Sequence, residues 1–167
     1  MKDYTDITFI LDRSGSMYGT KQDVIGGFNE FIKDQQQVDG HAELTLLQFD
    51  MEYELNYEAV DIQEVEPLND TTYVPRGGTA LLDAIGRRIV ETGERLRGKS
   101  EQDRPDKVLF IIFTDGLENG SREYNNKRIK EMITEQTDQW NWDFMYMGAN
   151  QDAFSVARTM GISLDKS

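Results

Sequence analysis

Hydrophobic positions along this chain fall into two alternating patterns. Short apolar runs recur at Ile7-Thr8-Phe9-Ile10-Leu11, at Ala42 to Phe49, at Lys107 to Phe113 and at Trp142 to Met147. Each is too short for a free-standing helix and rich in β-formers, which predicts strands, with the first and third buried on both faces. Between them the spacing changes to that of a helix. Val24, Ile25, Phe28, Phe31 and Ile32 form one stripe of a run from Lys21 to about Gln36, closed by the turn Asp39-Gly40. Leu81, Ala84, Ile85, Ile89 and Leu96 form a second stripe that starts at Ala80, and Ile129, Met132 and Ile133 a third, from about Tyr124 to Gln139. Gly26-Gly27 inside the first helix costs about 1–2 kcal/mol of propensity, which close packing on the sheet would offset.

Three further segments complete the pattern. Tyr53 to Val60 alternates poorly and carries several acids, as an edge strand guarded by charge does. Asp61 to Gly78 is a long connection with Pro67 and Pro75, of a length that is usually functional or mobile. Gly98 to Pro105 reads as a charged surface loop, Gln151 to Met160 as a short last helix, and Ile162 to Leu164 as the opening of one more strand. Strands that alternate with helices predict an α/β fold: a doubly wound, mostly parallel sheet with helices on both faces and one antiparallel edge strand. The chain is expected to form a single domain, 1–167, with its C-terminal edge cut short of a full final strand and helix.

Composition narrows the function. With 31 acidic against 18 basic residues the net charge is −13, a surface that repels nucleic acid phosphates and anionic lipid. Neither nucleic acid nor membrane is expected as a partner, and no stretch is long enough to span a bilayer. The chain has no cysteine, which removes disulfides, thiolate metal sites and cysteine nucleophiles and suits a reducing, cytoplasmic setting.

The chemistry concentrates where strands end. After Leu11 the sequence switches to Asp12, Ser14 and Ser16, three oxygen side chains at alternate positions, with Gly15 permitting a sharp bend. In an extended backbone this spacing turns three oxygens the same way. Asp115 ends the other strongly apolar strand in Thr114-Asp115-Gly116, and Thr79 follows Gly77-Gly78 just before a helix. Ligands of such folds bind outside the carboxyl ends of the strands where the strand order reverses. If the two strands are neighbours, all these oxygens share one crevice, suited to a hard cation. The bland alternative is that both acids cap loops or helix ends and the serines bond backbone.

These residues resemble the von Willebrand factor A domain. Asp12-Arg13-Ser14-Gly15-Ser16 matches its D-x-S-x-S motif, Thr79 its second-loop threonine and Asp115 its third-loop aspartate, in order and over nearly the whole chain. The resemblance implies a metal-ion-dependent adhesion site. Ser14, Ser16 and Thr79 would ligate the ion directly or through water, while Asp12 and Asp115 hold waters and balance charge. Mg²⁺ is the usual ion, with Mn²⁺ or Ca²⁺ as substitutes, and an Asp or Glu of a protein ligand would complete the shell. Intracellular, microbial and viral members serve as scaffolds or as adaptors for ATPases, so a non-catalytic protein-binding module is implied.

Arg13, Arg76 and Glu118 are the candidate rim that would face such a ligand, the two arginines to hold its carboxylate. His41 reads as an exposed loop residue, Arg87-Arg88 as a polar helix face and Asn119 as solvated. Trp140, Trp142, Phe144, Tyr146 and Phe154 read as packing rather than a binding platform. Two other functions compete. One is a metal-dependent phosphoryl transferase with Asp12 as nucleophile, which needs a second carboxylate two residues on, where this chain has Ser14. The other is a structural subunit whose site is vestigial.

Overall fold

The computed structural model of the protein describes residues 3–114 and 119–148. Five strands form one sheet: β1 (Tyr4–Asp12), β2 (His41–Phe49), β3 (Tyr53–Asp61), β4 (Lys107–Thr114) and β5 (Asp143–Gly148). Their order is β3-β2-β1-β4-β5. All neighbours are parallel except β2 and β3, the antiparallel edge pair. The predicted last helix, Gln151 to Met160, and the strand after it lie outside the described residues.

Helix α1 (Lys21–Gln36) covers one face of the sheet, and α2 (Leu81–Arg97) and α3 (Asn126–Trp140) cover the other. The period of two divides each strand between these faces. Ile7, Phe9 and Leu11 of β1 join Val24, Phe28 and Ile32 under α1. Ile10 joins Phe110, Ile112, Ile85 and Ile89 under α2. β1, predicted over Ile7 to Leu11, runs longer at both ends because its flanking polar residues Asp6 and Asp12 are fully buried and paired.

Four expectations change. The connection from Asp61 to Gly78 is packed, not loose: it buries Ile62, Val65, Leu68 and Tyr73 beneath α1, and Asn29 pins it by bonding both the N–H and the carbonyl of Leu68. No close approach offsets the helix glycines; a Cβ on Gly26 would meet nothing within 4 Å, and one on Gly27 only ordinary contact with Phe113. His41 starts β2, half-exposed beside Glu43. Arg88 is no surface residue: its side chain is fully buried, with Nη2 2.9 Å from Glu58 and Nη1 3.7 Å from Glu91.

Candidate metal centre

β1 and β4 lie side by side at the middle of the sheet, and the chain crosses from one side of β1 to the other between β3 and β4. That reversal opens a crevice at their carboxyl ends. Asp12 sits at its floor with both carboxylate oxygens engaged. Oδ1 accepts the N–H of Ser14 at 2.7 Å, and Oδ2 accepts the hydroxyl of Thr114 from β4 at 2.7 Å. The first bond is the turn that Asp12-Arg13-Ser14 is built to make, an Asx turn that bends the chain out of the strand. A two-turn 3-10 helix, Gly15–Thr20, follows, and it leaves the hydroxyls of Ser14 and Ser16 3.0 Å apart.

The second loop is tied to the first by backbone. Gly15 N–H donates to the Gly77 carbonyl at 2.9 Å, and Arg76 N–H to the Arg13 carbonyl at 2.6 Å. Gly77 has φ +71, a conformation that favours glycine. A Cβ there would also press to 3.3 Å from Asp50 Oδ2. Tyr73, the single aromatic residue of the long connection, reaches under both loops and donates its hydroxyl to the Asp12 carbonyl at 2.6 Å. These ties set the Arg76-Gly77 segment just before Thr79, itself buried, against the loop that carries Asp12, Ser14 and Ser16.

Asp115 and Glu118 lie outside the described residues. The chain beyond them is fixed, and sequence reading missed how. Asn119 is not merely solvated: its side-chain oxygen accepts the N–H of Thr79 at 2.9 Å, and its own N–H donates to the Thr79 carbonyl at 3.0 Å. Asp83, in the first turn of α2, accepts the N–H groups of Arg122, Glu123 and Tyr124 at 2.8 to 2.9 Å. An acid at the start of a helix followed by a Gly-Ser loop elsewhere in the chain is too common a signal to have singled out either residue.

The rim arginines separate. Arg13 does not project from the crevice; its side chain is 7% exposed, hydrogen-bonded to Glu54 through Nη1 and 3.7 Å from Asp50. Arg76 is 56% exposed, with Nε 3.0 Å from Asp50 Oδ2 and Nη2 3.4 Å from Glu52. Asp50 is the link that the sequence did not reveal. It is buried between the two guanidiniums, and its carbonyl takes the N–H of Ala80 at 3.0 Å, so one residue of the β2–β3 turn braces both loops.

The donor set fits a small hard cation. Two oxygens bound at the ~2.0–2.1 Å typical of Mg²⁺ and adjacent in an octahedron stand about 2.9 Å apart, whereas the longer bonds of Ca²⁺ would separate them by about 3.3 Å or more. The Ser14–Ser16 separation of 3.0 Å matches the shorter edge, and it equally permits a hydrogen bond between the hydroxyls. Asp12, with both oxygens already held, suits a charge-balancing role behind the hydroxyls better than a direct one. Among the described residues no three His, Cys, Asp or Glu side chains gather as an alternative metal cluster, and no helix is long and apolar enough to cross a membrane.

No family model matches the sequence, and no curated protein matches it. Similarity appears in three dimensions. The structure aligns with the manganese-loaded TRAP protein of Plasmodium vivax over 99% of this chain and 66% of that one, at 19% identity and a TM-score of 0.60. It aligns with proximal thread matrix protein 1 of the mussel byssus over 87% of this chain and 35% of that one, at 18% identity and a TM-score of 0.52. The chain thus spans less than two thirds of either neighbour. With a parallel sheet, one antiparallel edge strand and helices on both faces, the chain has a von Willebrand factor A-like fold.

Proposed function

We propose that this chain is a non-catalytic, metal-dependent protein-binding module. Asp12, Ser14, Ser16 and Thr79, with Asp115, hold one divalent ion, Mg²⁺ or Mn²⁺. The reading rests on one observation above others: the Ser14 and Ser16 hydroxyls stand 3.0 Å apart beside a buried, doubly anchored Asp12. The manganese in the TRAP neighbour supports the same ion class. Bound there, the ion supplies an electrophilic position that an Asp or Glu carboxylate of a protein ligand fills. Three neutral hydroxyls among five ligands leave the ion short of negative charge and keep its own affinity modest. Arg76, exposed beside the crevice, is the rim residue that meets the ligand; Arg13 instead braces the loop beneath.

Asp12 is poorly placed to be a phosphoryl-transfer nucleophile. Its side chain is fully buried, both oxygens accept hydrogen bonds, and the position two residues on offers an N–H and a hydroxyl rather than an acid. Calorimetry with Mg²⁺ and Mn²⁺ tests the metal assignment: the wild type should bind one ion, and Asp12→Ala should not. Equal binding by both proteins would sink it. Sustained turnover of a phosphate ester that Asp12→Asn abolishes would overturn the non-catalytic reading.

A further inference from the structure

A second concavity lies at the opposite end of the sheet from the candidate metal centre. Helix α3 closes at Asn141, whose left-handed φ of 59 returns its N–H to the Thr137 carbonyl at 3.2 Å. This reversal sends the two neighbouring indoles to different environments. Trp142 is buried and stacked on Phe110 at 5.3 Å, whereas Trp140 is 56% exposed. Between them and the end of α2 is a cavity of about 120 Å³, floored by Leu96 and Val108. That is close to the ~150 Å³ apolar cavity that takes up benzene in an engineered core, so it accommodates a single ring.

The charges around it run against the rest of the chain. Arg97 and Arg104 line the cavity with one acid, Asp106, in a protein of net charge −13. Asp106 accepts the N–H of Tyr4 at 2.9 Å, and Arg104 Nε donates to the carbonyls of Leu96 and Lys99, both at 3.1 Å. Arg97 makes no ion pair among the described residues. Its guanidinium lies across Gly93, where a Cβ would come within 3.2 Å of Nη1, so the missing side chain lets the cation lie at the cavity's lip. A flat apolar wall beside an uncommitted guanidinium selects an anion that carries a ring.

We infer that this cavity binds a small aromatic carboxylate, its ring between Trp140 and Trp142 and its carboxylate on Arg97. The site is independent of the proposed metal centre. The chain has two tryptophans and both line the cavity, so intrinsic indole emission reports on this site alone. Phenylacetate should change that emission saturably, while acetate should not, and benzyl alcohol should bind about tenfold more weakly for want of the charge-assisted bond. Arg97 is exposed, so Arg97→Glu should fold normally and weaken phenylacetate at least about tenfold. Chelator and Asp12→Ala should leave the titration unchanged. Absence of a saturable change up to the solubility limit, equal responses to acetate, or full affinity in Arg97→Glu each overturns the assignment. Emission that shifts with protein concentration alone, together with dimer in sedimentation, would instead give the cavity to a second copy of the chain.

Discussion

The two faces of the sheet bury their residues by different physics. Under α1 the interface is apolar: Ile7, Phe9, Leu11, Met17, Val24, Phe28 and Ile32 meet with Phe9 and Phe28 edge-to-face at 5.0 Å. Under α2 an ionic cluster crosses the core. Arg88 pairs with Glu58, and Arg95 lies 2.8 Å from the fully buried Asp6 and 3.5 Å from Glu58. The edge strand makes this cluster reachable. Two residues of β3, Glu58 and Ala59, stand opposite Thr45 alone, a bulge in which Ala59 takes φ +54 and bonds the Thr45 hydroxyl at 2.9 Å. The extra residue keeps both Tyr57 and Val60 on the α1 side and turns Glu58 towards α2. Burial of either apolar face resists a one-residue slip, which would turn its apolar set outward, but buried charges demand more: they hold only when every partner is in place. The α2 face therefore specifies where the edge strand sits, at a cost in desolvation that the α1 face avoids.

Removing one large buried side chain from either face should have the largest effect. Arg88→Ala removes the buried guanidinium that Glu58 and Glu91 share, leaving Glu58 to Arg95 and Glu91 to Arg87 beside a void, and should cost about 3–5 kcal/mol in urea unfolding. Phe28→Ala on the apolar face should cost a similar ~3–5 kcal/mol, through cavity formation alone. The faces part company in rescue. Arg88→Met combined with Glu58→Leu should recover at least half of the Arg88→Ala loss, because a buried ion pair can be replaced by apolar side chains of like volume at little cost. A double variant no more stable than Arg88→Ala would show that the ionic cluster contributes net stability.

A smaller effect sharpens the contrast from the α1 side. Gly26 is exposed in mid-helix with nothing within 4 Å of its missing Cβ, so Gly26→Ala should raise stability by about 0.5–1 kcal/mol. A loss instead would mean that this part of α1 is covered by something that needs the space.

The smallest effect is in pH. Burial pushes the Asp6 carboxyl above the ordinary aspartate value of 3.8, against the pull of Arg95. The folded state then holds this proton more tightly than the unfolded chain, so the stability it contributes is full below 3.8 and is lost as pH rises through the raised value. The wild type should thus gain stability relative to Asp6→Asn as pH falls towards 3.8, measured by chemical unfolding across that range. A difference between the two proteins that does not vary with pH would mean that the fold leaves the Asp6 carboxyl titrating as it does in the unfolded chain.

Much of the architecture was legible in local pattern. Short apolar runs of β-formers and 3.6-residue stripes located five strands and α1, α2 and α3, because both signals depend on backbone geometry that neighbours in sequence share. Asp12, Ser14 and Ser16 were legible for the same reason, being three oxygens within five residues. What local pattern does not contain is pairing between distant segments. Arg13 and Arg76 look alike in sequence and share Asp50, yet Arg13 also pairs with Glu54 and is buried, while Arg76 stays exposed. Arg88 reads as surface until the bulge in β3 brings Glu58 over it, and Asn119 reads as solvated until the chain's return sets it against Thr79. The sequence alone determined the order of elements and the oxygen-rich loop after β1. The tertiary structure alone decided which charged groups face each other, since a buried charge is stabilised only by a partner that the fold carries to it across tens of residues.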